Sequence, residues 1–178
     1  MCAVGKELVR DMVARYEIVN WLNKIGLESN GVLFMSVRFG VPPENKIELC
    51  QSCKPIFCRL FRKLLGRHWN KVHKRYFILV GVQEFGKYNN RHAHFLLGII
   101  SKFQVAEVMD VLKSLSYQLK MDVWTSEEDK LTTSKQFGAD IMVKSVYSPR
   151  VDEYFSKELG VSDTRLNDNF ILDCDMFC

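Results

Sequence analysis

The sequence predicts an α+β fold in which helices pack on a central antiparallel sheet. Three observations predict it. Val-, Ile- and Phe-rich runs suited to strands occur at 31–39, 75–84, 91–100 and 139–147. Apolar residues recur at helical spacing over 6–25, 47–65, 104–119 and 148–159. A short connection carrying Gly86, Asn89 and Asn90 joins two of the strands as a hairpin. At 178 residues and 47% apolar, with no fixed-period repeat or low-complexity tract, the chain reads as one domain. That domain is divided into an N-terminal amphipathic helix within 1–30, a core over 31–160 and a C-terminal tail over 161–178.

The opening helix has its apolar stripe at Leu8, Val9, Met12, Val13, Tyr16 and Val19, with Gly26 as a C-terminal stop. The strand from Gly31 to Phe39 ends at Gly40-Val41-Pro42-Pro43. A helix from about Ile47 to Leu65 follows, apolar at Phe57, Leu60, Phe61, Leu64 and Leu65, with Pro55 expected either to split it or to mark its true start. The hairpin comes next, then a helix from about Gln104 to Leu119 with Val105, Val108, Met109, Leu112, Leu115 and Leu119 on its buried stripe. Residues 122–137 read as a loop or irregular hairpin. The strand Ala139 to Tyr147 leads to Ser148-Pro149, a favourable N-cap and first-turn pair, and the helix so begun stops at Gly160. Four strands are plain in this reading.

Apolar stretches such as Phe95 to Ile100 are too short to span a bilayer, and residues 1–25 interleave charge with apolar groups. The expectation is an intracellular protein without a membrane partner, cytoplasmic, or nuclear if it comes from a eukaryotic virus. Six cysteines then read as free thiols. Cys50, Cys53 and Cys58, with His68, raise a zinc site as an alternative, but they fall at or inside a helix and lack a second knuckle. Between Glu48 and Glu84 no acidic residue interrupts a basic series. Arg59, Arg62, Lys63, Arg67, Lys71, Lys74 and Arg75 in that series, with Lys87 and Arg91 after it, are the candidate contacts to a phosphate backbone.

His92 and His94 stand two apart on a strand and so project from one face, with Ala93 on the other. A hairpin turning about Tyr88 sets Glu84 across from His92, giving a two-histidine, one-carboxylate set suited to a divalent cation with open positions. On the last helix Tyr154 and Lys157 are three apart on one face, Tyr154 at the edge of the apolar stripe. A phenol there has the chemistry to attack a phosphate, with Lys157 offsetting charge. An iron oxygenase uses the same ligand set but gives Tyr154 and Lys157 no task, and the zinc deaminase signature is absent.

Gln83-Glu84-Phe85-Gly86, then Arg91-His92-Ala93-His94-Phe95-Leu96-Leu97-Gly98, then Tyr154-Phe155-Ser156-Lys157 together resemble the HUH endonuclease superfamily. The likeness is to single-tyrosine replication initiators of rolling-circle plasmids and small single-stranded DNA viruses. It covers about residues 31–160, with Val32 to Phe39 at the place of the family's first motif. It implies an antiparallel sheet of about five strands with flanking helices, of HUH-endonuclease or ferredoxin-like type, so that a fifth strand must come from 120–137 or from a terminus. It also implies that Glu84, His92 and His94 hold Mg²⁺ or Mn²⁺, that Tyr154 attacks single-stranded DNA to leave a 5′-phosphotyrosine and a free 3′-hydroxyl, and that Lys157 assists. The implied partner is single-stranded DNA at a replication origin. This sequence has no phosphate-loop motif, so the expectation is a chain that borrows a helicase from the host or a separate protein, is a fragment, or needs none. Arg38 departs from the family, whose first motif favours small uncharged groups at this strand. A transposase or mobilisation relaxase shares the same chemistry, and a non-catalytic nucleic-acid-binding module is the alternative of another class.

Overall fold

In the run Gly31–Arg38 (β1) buried Leu33, Met35 and Val37 alternate with half-buried Phe34, Ser36 and Arg38, the period-two pattern of a strand with one face in the core. The computed structural model describes residues 29–86, 90–100, 102–132, 135–146, 170–172 and 176–177. The helices expected at 6–25 and 148–159, with Tyr154 and Lys157, lie outside the described residues, as does Lys87.

Helix α1, Lys46–Leu65, begins at Asn45, whose side chain accepts a hydrogen bond from the Glu48 amide at 3.0 Å. It ends at Gly66, whose φ of 78° belongs to glycine and whose amide donates to the Arg62 carbonyl. Pro55 neither splits nor starts it. Pro55 and Gln51 are both exposed, so the carbonyl that proline leaves without an amide faces water and the helix runs on. A single turn, α2 (Trp69–Val72), and a 3₁₀ turn (His73–Arg75) delay the next strand to β2 (Phe77–Gly86). Then come β3 (Asn90–Ile99), α3 (Val105–Ser114), α4 (Ser116–Leu119), β4 (Asp122–Trp124), α5 (Glu127–Thr132), β5 (Asp140–Val146) and β6 (Phe170–Leu172). The helix expected over 104–119 is broken at Leu115, and Lys120, at φ 53°, closes the second piece.

The fold is α+β, with helices flanking a mostly antiparallel sheet in the order β4-β5-β1-β3-β2-β6. Five strands, from β4 to β2, form its body, and the three-residue β6 extends one edge. Both places left open for a further strand supply one: β4 lies within 120–137 and β6 within the expected C-terminal tail. The sheet is not wholly antiparallel, because β4 runs parallel to β5 through the crossover that contains α5. Buried Asp122 fixes that crossover by accepting the amides of Gln136 and Phe137, both at 3.1 Å.

One sheet face carries the main core. Leu33, Met35 and Val37 of β1, Phe77 and Leu79 of β2, Ala93, Phe95 and Leu97 of β3, and Ile141 and Val143 of β5 join buried residues of α1 and α3 in one cluster. Phe57 of α1 packs edge-on to Phe95 with centroids 4.8 Å apart, and Phe61 stacks on Phe77 at 5.1 Å. Each such ring, fully buried, contributes on the order of 1.5–3 kcal/mol. Cys50 and Cys53 are buried in this cluster and Cys58 is half-buried, so these thiols serve as packing groups. Met176 and Phe177 also pack here, Phe177 lying 5.4 Å from Trp69.

Candidate metal centre

The β2–β3 hairpin sets Glu84 opposite His92, and β1 sets Ser36 opposite His94, so these side chains share a sheet face. It is the face away from α1, since Ala93 and Phe95, which alternate with the histidines, point into the helical core. β3 is an inner strand, paired on both sides, which holds both histidines on a rigid frame. Glu84 Oε2 lies 2.9 Å from His92 Nε2 and 2.7 Å from His94 Nε2. One ligand atom from each of the three residues falls within 4.8 Å of the other two. Among the described residues this is the group of three or more His, Cys, Asp or Glu side chains with such spacing.

The surroundings tune the donors. His94 is buried, and burial holds its imidazole below the ordinary histidine range. The Glu84 hydrogen bond opposes that shift, while the charges of His92 and Arg38 add to it. His94 is therefore neutral at pH 7, the state that binds a cation. Phe34 stacks on its ring at 5.3 Å with an interplanar angle of 19°, and the two histidine rings meet edge to face at 5.0 Å. His94 Nδ1 is buried without a hydrogen-bond partner among the described residues.

The donor set fits a divalent cation. Both Nε2 atoms converge on one carboxylate oxygen, so moving each ring proton to Nδ1 would leave two nitrogen lone pairs and a carboxylate directed at a common point. Two imidazoles make the set softer than the all-oxygen environment magnesium prefers, which favours Mn²⁺ over Mg²⁺.

Beside this group is a second pair that the sequence signals only through the period-two alternation of β1. Arg38 donates from Nε to Asp140 Oδ1 at 3.0 Å, and its Nη2 lies 2.8 Å from the same oxygen. Arg38 and Asp140 are register partners on β1 and β5. The basic residues fall elsewhere. Arg59, Arg62 and Lys63 are exposed on α1, behind the opposite sheet face, and Arg67, Lys71, Lys74 and Arg75 are exposed in the segment that follows. That end of α1 packs on Phe77, seven residues before Glu84 along β2, or about 23 Å at ~3.3 Å per residue. Arg91 is half-buried on β3 and donates to Gln83 Oε1 at 3.3 Å. The structure thus brings Glu84, His92 and His94 together and sets the basic series apart from them.

No family model, curated protein or solved structure matches this chain.

Proposed function

We propose that this protein is a metal-dependent enzyme that nicks and rejoins single-stranded DNA, with Tyr154 as nucleophile and Glu84, His92 and His94 as the metal site. The observation that carries the reading is the convergence of those three side chains on one point of an inner strand pair. The ligand positions agree with those the resemblance implies, while Tyr154 and Lys157 enter from the sequence motif alone. Bound there, Mn²⁺ or Mg²⁺ supplies Lewis-acid polarisation of the scissile phosphate. Glu84 contributes a negative charge that offsets part of the cation's, and Phe34 and the sheet keep the His94 ring oriented. The Tyr154 oxygen, having lost its proton, attacks phosphorus; the bond from phosphorus to the 3′ oxygen breaks, and that oxygen takes up a proton. Lys157 offsets charge on the phosphate or phenolate. Rejoining is the reverse attack by a 3′-hydroxyl.

Within this chemistry the favoured role is initiation of rolling-circle replication at an origin. The test is incubation with Mn²⁺ and labelled single-stranded oligonucleotides, followed by a denaturing gel. A covalent protein–DNA adduct is expected for the unaltered chain and not for Tyr154→Phe or His92→Ala. The separation of the basic helix from the metal group favours one second reading, a module that binds nucleic-acid phosphates without cutting. Absence of an adduct with every divalent metal, alongside undiminished DNA binding by both variants, would replace the first reading with the second.

A further inference from the structure

The strand registers place five charged or ligating residues in one row across the sheet. Glu84 of β2 pairs with His92 of β3. Arg38 of β1 pairs with Asp140 of β5. Arg38 and His92 each lie one residue beyond the Val37–Ala93 pair on adjacent strands, and Asp140 pairs in turn with Asp122 of β4, so the row reads Glu84, His92, Arg38, Asp140, Asp122. Arg38 shares a face with Phe34 and Ser36, hence with His94. From this row we infer that Arg38 is a phosphate-binding residue of the site, gripping the phosphodiester next to the metal group, and that Asp140 is the positioning residue that aims it. The inference rests on the nicking reading above and adds to it a residue that the metal and tyrosine motifs do not supply.

Three observations carry it. Asp140 is buried, its side chain only 11% exposed, whereas the Arg38 side chain keeps 42%. The carboxylate is thus the fixed anchor and the guanidinium the open end. Nε and Nη2 both go to a single oxygen of Asp140, which sets the plane of the fork and leaves Nη1 without a partner among the described residues. Arg38 is the one cation in a row whose other charges are the carboxylates of Glu84, Asp140 and Asp122. A phosphodiester seated between that guanidinium and a cation beside Glu84 separates two positive groups that would otherwise repel. A guanidinium suits that anion because its planar donors match two phosphate oxygens.

The experiment uses the full chain, Mn²⁺ alone, and a labelled single-stranded oligonucleotide with and without Mn²⁺. Arg38→Gln, Arg38→Lys and Asp140→Asn are compared, with the Tm of each recorded. Mn²⁺ binding by Arg38→Gln is expected to be unchanged or tighter, since a nearby positive charge is gone. Its oligonucleotide affinity in Mn²⁺ is expected to fall about ten- to hundredfold, the range for one charge-assisted contact. Arg38→Lys should restore part of the loss, and Asp140→Asn, which keeps the guanidinium but frees it, should fall between. Oligonucleotide affinity unchanged in Arg38→Gln overturns the proposal, as does a loss of Mn²⁺ binding that matches the loss of DNA binding, which would make Arg38 a structural support. Weakened DNA binding by Arg38→Gln in a chain that forms no adduct sustains the phosphate contact while sinking the nicking reading. Adduct formation at an unaltered rate and affinity in Arg38→Gln does the reverse.

Discussion

Gly81 faces Phe95 across the β2–β3 ladder, and a Cβ at that glycine would lie 2.5 Å from two carbons of the ring. Phe95 is fully buried and held edge-on by Phe57, so it has no room to give way. Gly81→Ala is therefore expected to lower the unfolding free energy by roughly 1–3 kcal/mol through overpacking, as read from urea denaturation midpoints. A midpoint equal to that of the unaltered chain would show that the ring relaxes. A second residue-scale contrast lies on α1. Burial, aided by neighbouring Cys50, pushes the Cys53 thiol far above the ordinary range, which leaves almost no thiolate. Cys58 is also raised by burial, but Lys54 and Arg62 pull it back and it is half-buried. Alkylation of the folded chain followed by peptide mapping should label Cys58 well before Cys53. Equal rates would mean that α1 opens as readily at its core face as at its rim.

The short helix α5 rests on a local cap. Ser126 Oγ accepts the Asp129 amide at 2.9 Å, while Asp129 Oδ2 accepts from the Thr125 hydroxyl at 2.5 Å and its amide at 3.2 Å. Lys113 of α3 reaches the same oxygen at 3.2 Å, tying the two helices. The Thr125 hydroxyl first, then Lys113, hold the Asp129 carboxyl below its ordinary value of 3.8. A group depressed in the folded state adds stability above its unfolded pKa and loses it as pH falls through the folded one. Asp129→Asn should thus lower Tm at neutral pH, and the gap from the unaltered chain should close as the pH falls below that ordinary value. A gap of constant size down to strongly acid pH would show that the carboxylate charge plays no part. Much of this level was legible in the sequence. The hairpin with Glu84 across from His92 follows from alternation and a turn, and the strand starting near 139 from its apolar run. β4 and β6 are three residues each, too short to show a period, and their pairing depends on partners distant in the chain. The break at Leu115 was hidden because its apolar stripe continues through α3 and α4, whereas the break lies in backbone bonding: the Leu115 amide is shared between Val111 and Leu112. Nothing in the spacing of Asp140 ties it to the site, and its placement beside Arg38 needed the β1–β5 register.

At the scale of the molecule, the decisive feature is the sheet as a partition. Sequence order sets Arg59, Arg62 and Lys63 between β1 and β2, but not on which side of the sheet their helix packs. Phe57 and Phe61 decide that by meeting Phe95 and Phe77, which places the basic helix behind the face that bears Glu84, His92 and His94. Charges so far apart are largely screened from one another at physiological salt, where the Debye length is about 8 Å. The two surfaces should therefore be separable by mutation. Arg62→Glu with Lys63→Glu, both on exposed positions, is expected to leave Mn²⁺ affinity and Tm close to those of the unaltered chain. If the helical face holds DNA phosphates, the same variant should weaken DNA binding across all sequences and flatten its dependence on salt, by a slope of about one for each phosphate no longer neutralised. Glu84→Gln should do the opposite, lowering Mn²⁺ affinity at least as much as the ~10–100-fold loss seen for outer-shell partners, while keeping the salt slope measured without metal. A double-charge reversal on α1 that changes neither DNA affinity nor its salt slope would assign all DNA contact to the metal-bearing face, and the basic helix would then be a solvated surface.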